Sequence, residues 1–390
     1  MDHPILNSLL QPALLIFLIA FTVLMALMIP AYFYAYRPKN NSTEWIGRLD
    51  RRSFRPLTLG ALSTADIVWA LICLACAVFL WYAHYVLWWN VKWHVITSGN
   101  LFHLIVKHLY RTIPVAVTAL SLYLLMRLMH GKPLPAILAA VIGALSLTSQ
   151  ATALALFSLS LLFLYLWVCA PYDAPTFFNA VWLALSAGAY GLSLLSHFPL
   201  IWALPFYFGI YIVMQVVRWK NGNPQTRRKK LVLSIVLLLL LILLGVIAVW
   251  LVYCVKRHKG SPIDLLRSFS FYKSMIPGLL SRLSTLTRRA SYWYSLVFSD
   301  SLCFLAGVIA MIPLLHRLIK LRDTRCLFLL LLLPCLLLAW YFSACYAMVP
   351  VFALVIGMCW SSYADRGRPL YAVGFAATYV LFLFAELFIH

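Results

Sequence analysis

The chain has 390 residues, 64% hydrophobic and only 11% charged, where soluble domains carry ~25% charged side chains. That composition excludes a large soluble catalytic domain, a disordered or collagenous chain and a disulfide-stapled secreted module, and it points to the lipid bilayer. The formal net charge of +21 comes from cations spread through segments between apolar runs, so anionic membrane lipid, and no nucleic acid, is the expected counter-charge.

Apolar runs centre on 12–35, 66–87, 112–129, 134–151, 153–170, 177–195, 198–217, 231–254, 301–319, 326–343, 347–361 and 370–389. At ~20 residues per span they predict an all-α polytopic membrane protein of about twelve transmembrane helices. The boundaries within 134–170 and within 326–361 each leave room for a re-entrant pair. No cleavable leader is expected, because the first run is long and is followed by cations without a small-residue cleavage pattern. The cysteines fall in or at the ends of these runs and read as small hydrophobes, the Cys73-x-x-Cys76 pair included.

Orientation follows from the cations between runs. Segments 36–65, 127–133, 171–176, 218–230, 317–325 and 362–369 hold 20 of the 31 Lys and Arg, and the short alternate segments hold three. The remaining eight lie in the long stretch 255–299, which the positive-inside rule discounts. Both chain ends, 88–111 and 255–299 are therefore expected outside.

The first outer segment begins Trp88-Trp89-Asn90-Val91-Lys92-Trp93-His94. Further on, Leu101, Phe102, Leu104, Ile105, Val106 and Leu109 are apolar, while His103, Lys107 and Arg111 recur at four-residue intervals. This pattern predicts a helix lying flat in the interface with one basic stripe. The second segment repeats the recipe, with Lys256, Arg257, Lys259, Arg267 and Lys273 among Phe269, Phe271 and Tyr272. Anchoring to headgroups is the plainer use of two such segments. The sharper one is a pocket for an anionic lipid carrier, whose phosphate needs Arg or Lys at headgroup depth while its tail stays in hydrocarbon.

From Arg111-Thr-Ile-Pro114 the chain continues to Arg127-Leu-Met-His-Gly131 and then to a small-residue run from Leu134 to Gln150. A later corner reads Gly191-Leu-Ser-Leu-Leu-Ser-His197-Phe-Pro199. Over about residues 66–220 this resembles the integral-membrane GT-C glycosyltransferases, of the polyprenyl-phosphate-sugar-dependent protein mannosyltransferase and aminoarabinose transferase type. The resemblance implies a GT-C-like core at 66–254 behind an added N-terminal helix and basic cytoplasmic loop at 1–65. It also implies an outer loop at 255–299 and C-terminal helices at 300–390.

The same resemblance implies transfer of a sugar from a lipid-linked donor to an acceptor outside a bacterial inner membrane. Arg111 and His197 match the family's positions for the lipid phosphate, with Lys107, Arg257 and Arg267 as helpers. The family places a carboxylate in the first outer loop, but residues 88–111 contain no Asp or Glu. The proton acceptor is therefore sought in His94 or in Asp264. A non-catalytic relative that binds a lipid carrier or partner subunits, and a lipid-sugar flippase, remain as alternatives. No glycine-rich phosphate loop and no zinc-type His/Cys cluster occurs, so no cofactor is expected, and a divalent metal has no ligand set to support it.

Overall fold

The computed structural model describes residues 12–27, 29–30, 64–93, 101–130, 133–146, 151–169, 176–196, 198–221, 228, 231–236, 239, 301–321, 326, 328–335, 348–365 and 369–389. Among these the chain is helical and has no strand. The principal helices are α1 (Pro12–Ala26), α2 (Thr64–Trp93), α3 (Leu101–His130), α4 (Pro133–Leu145), α5 (Ala151–Cys169) and α6 (Thr176–Ser196). A 3-10 turn (Phe198–Ala203) leads into α7 (Leu204–Asn221), and α8 (Ser301–Leu321), α9 (Met348–Asp365) and α10 (Pro369–Ile389) complete the set. Among the described residues four stretches, Thr64–His84, Thr112–His130, Ala151–Cys169 and Leu302–Ile319, are long and apolar enough to cross a membrane, which marks a membrane protein.

The centre of the bundle is α9 beside α4. Every residue from Met348 to Cys359 is buried, and so is nearly all of α4 from Pro135 to Leu145. Both segments are apolar all round, and such helices are stable only when surrounded by others. Small residues set how closely they approach. A Cβ on Gly357 would lie 2.9 Å from Ala139 Cβ and 3.1 Å from the Pro135 carbonyl, and one on Gly143 would lie 3.4 Å from Ala353 Cβ. Because 139 pairs with 357 and 143 with 353, α4 and α9 run antiparallel. On the other side of α9, a Cβ on Gly307 of α8 would overlap the Phe352 ring. In lipid there is little hydrophobic drive between helices, so close backbone approach of this kind supplies much of the packing energy.

Around that pair, α3 packs on α2, α4, α5 and α9, while α8 and α10 flank α9. The first helix closes against the last: Phe17 and Phe21 meet the Phe382 ring at 5.1 and 5.3 Å, and Phe21 meets Tyr379 at 6.1 Å. Helix α2 is peripheral and turns Ile67, Leu71 and Phe79 outward. Cys73 is buried between helices and Cys76 is exposed on that outer face.

Two sequence expectations change here. The flat interfacial helix is instead the first third of α3, continuous from Leu101 to His130 with Pro114 inside it. Nothing between Leu109 and Ile113 breaks a helix, and α3 continues through Pro114 although that residue gives up its N–H bond and its ring crowds the carbonyl four residues back. The run 134–151 forms a helix only to Leu145, 13 residues or about 20 Å, short of a full crossing.

Candidate functional site

Of the candidate residues, His94, His197, Arg257, Asp264 and Arg267 lie outside the described residues. Lys107 and Arg111 are both on α3, one turn apart. Arg111 immediately precedes Thr112, the first residue of the apolar stretch Thr112–His130. Thirty residues of helix measure about 45 Å against ~30 Å of hydrocarbon. Helix α3 is therefore longer than the hydrocarbon is thick, and Lys107 lies about 6 Å before Arg111 along its axis. Helix α2 is equally long, at 30 residues.

The opposite end of the same two helices carries a buried ion pair. Arg127 Nη2 lies 2.7 Å from Asp66 Oδ1, and Nε donates to the same oxygen at 2.9 Å. Their side chains are 13% and 8% exposed. Asp66, in the first turn of α2, is thus an interhelical partner and not simply a helix cap as Ser63 and Thr64 before it suggest. The Tyr123 hydroxyl, one turn before Arg127, is buried without a hydrogen-bond partner and lies within electrostatic reach of both charges.

A second buried guanidinium is in the same layer. Arg317 of α8 is 2% exposed and donates from Nη1 to the Met358 carbonyl of α9 at 3.3 Å. Met358 follows Gly357, against which the Met126 side chain packs, so Arg127 and Arg317 belong to one end of the bundle. Within the four apolar stretches the Asp, Glu, Lys, Arg and His residues are Asp66, His84, Arg127, His130, His316 and Arg317, none of them in the central turns. The midplane of those stretches is uncharged.

A third polar cluster joins α5, α6 and α7. Ser160 Oγ donates to the Ser186 carbonyl at 2.9 Å, and Ser186 Oγ returns the bond to the Ser160 carbonyl at 3.0 Å. With the Ser160 proton committed, the Tyr207 hydroxyl donates to Ser160 Oγ at 2.6 Å. Tyr190 stacks on Tyr207 at 4.3 Å and donates its hydroxyl to the Leu200 carbonyl at 2.7 Å. That bond ties α6 to the 3-10 turn across the corner 191–199, where a Cβ on Gly191 would meet nothing within 4 Å. All four groups are satisfied by the protein itself, which makes the cluster interhelical glue and not a reactive centre.

Sequence reasoning had no handle on the Asp66–Arg127 and Arg317–Met358 contacts. The one local hint is that both arginines sit in the last turn of an apolar run, within snorkelling distance of water, yet both turn inward. Among the described residues no three His, Cys, Asp or Glu side chains gather into a metal-type group. The chain matches no known family model, no curated protein and no solved structure.

Proposed function

We propose that this chain is a GT-C-like membrane glycosyltransferase, of a bacterial inner membrane, that moves a sugar from a polyprenyl-phosphate donor to an acceptor outside. The observation that supports the reading is the place of Arg111 on α3, one turn after Lys107 and immediately ahead of the apolar run from Thr112, in the stretch that resembles that family. An acceptor hydroxyl attacks the anomeric carbon, the bond from that carbon to the phosphate oxygen breaks with inversion, and the lipid phosphate leaves with the electron pair. Arg111 and Lys107, helped by His197, Arg257 and Arg267, offset the charge on the leaving phosphate. His94 or Asp264 takes the hydroxyl proton. A lipid-linked donor explains why no nucleotide-binding loop is needed.

A second reading is a non-catalytic relative that holds the lipid carrier, and the absence of any acid in 88–111 favours it. A flippase is disfavoured by the uncharged midplane of the four spanning stretches, since polar routes through lipid use charges at that depth. The deciding experiment reconstitutes the chain with radiolabelled lipid-linked sugars and an acceptor pool. Label should pass to the acceptor, and Arg111→Ala together with His94→Ala or Asp264→Asn should abolish transfer. Binding of the lipid without transfer selects the second reading, and indifference to all three substitutions removes the site.

A further inference from the structure

Helix α3 joins two parts with different requirements. From Val115 inward it is embedded: Val115, Thr118, Ala119, Leu122 and Tyr123 are buried, and Arg127 is held by Asp66. From Leu101 to Arg111, Leu101, Phe102, Leu104, Ile105, Val106 and Leu109 are apolar, while His103, Lys107 and Arg111 recur at four-residue intervals as a basic stripe. Standing upright, such a segment carries apolar side chains through the headgroup layer. Lying down, it buries them at the acyl boundary and keeps its cations among phosphates.

Pro114 sits at the junction. It has no N–H, so the Tyr110 carbonyl loses its partner inside the helix, and the ring crowds that same carbonyl. Thr118 Oγ1 donates to the Pro114 carbonyl at 2.9 Å, a bond to the residue four back that bends helices. Proline and back-bonding threonine together soften one turn of an otherwise continuous rod, three residues after Arg111.

We propose that residues 101–111 are a hinged arm that moves about Pro114 between the upright position and one flat in the outer headgroup layer. Upright, Arg111 and Lys107 differ by about 6 Å in depth, whereas flat they share the phosphate plane. Resting on the donor reading above, a single anionic lipid head gripped by both cations selects the flat arm. Donor binding would then lower the arm over its own site, and release would raise it.

The test uses the full chain in phosphatidylcholine nanodiscs, with a nitroxide attached to an azide-bearing residue at position 105 so that the native cysteines stay unlabelled. Depth is read from oxygen and nickel accessibility. Two depths are expected, with Pro114→Ala leaving only the upright one and Thr118→Val changing their ratio. Adding a polyprenyl monophosphate should raise the flat-to-upright ratio about tenfold. One depth, the same in the native chain and in Pro114→Ala, overturns the hinge. Two depths that collapse in Pro114→Ala but ignore the phosphate support the hinge and overturn the donor reading instead.

Discussion

Arg127 places two donors, Nη2 and Nε, on one carboxylate oxygen of Asp66, although the two residues are 61 positions apart. The contact pins the last turn of α3 to the first turn of α2, so the two helices run antiparallel. Removing one partner leaves a buried charge uncompensated. Asp66→Asn or Arg127→Leu should destabilise the fold by about 3–5 kcal/mol, and the exchanged pair Asp66→Arg with Arg127→Asp should recover part of that. Unfolding in mixed detergent micelles measures it, and single variants as stable as the native chain would show the pair contributes little.

The α4–α9 seam predicts opposite outcomes for two glycines. Gly357→Val brings methyl groups against Ala139 and the Pro135 carbonyl and should destabilise the fold by about 1–3 kcal/mol. Gly374→Ala in α10 meets nothing within 4 Å and should be neutral or gain up to ~1 kcal/mol of helix propensity. Thermal unfolding of the pair, compared in one lipid, separates packing from propensity.

In the α5–α7 cluster the order of losses is set by proton direction. Tyr207→Phe removes only the bond donated to Ser160 and should cost about 0.6 kcal/mol, the usual worth of an interhelical side-chain bond in lipid. Ser160→Ala also strips the bond to the Ser186 carbonyl and leaves the Tyr207 hydroxyl buried and unpaired, and should cost about 2 kcal/mol. The reverse order would mean that Tyr207 donates elsewhere.

Lys107 and Lys320 lie toward opposite ends of the bundle, because α3 begins at its outer end and α8 finishes beside Arg317. Lys107→Cys should react with a membrane-impermeant maleimide in intact cells, and Lys320→Cys only after permeabilisation. The opposite pattern would invert the orientation drawn from the cation count and would place Arg111 on the wrong face for an outside reaction.

The placement of charge was legible because the membrane filters it residue by residue. Arg111, Arg127 and Arg317 all fall at the ends of apolar runs, as the energetic penalty for a cation in hydrocarbon demands. Arg111 was singled out because it matches the position at which the resembling family holds its lipid phosphate, and that role belongs to the proposal. The separate interfacial helix was misjudged because amphipathicity describes which environment a segment favours, whereas continuity depends on whether anything interrupts the backbone ladder. The Cys73–Cys76 spacing was likewise read as apolar packing, and the two side chains do lie in different surroundings.

By itself, the sequence determined that this is a helical membrane protein and where along the chain its charges can sit, because these follow from the transfer free energy of each side chain. Only the tertiary structure decided that Asp66 meets Arg127, that α4 and α9 form the buried centre, and that α1 closes on α10. In lipid, apolar helices all look alike by hydropathy. Which of them meet is settled by the fit of small residues such as Gly357 against Ala139 and by a few buried hydrogen bonds, and these relationships exist only once the chain is folded.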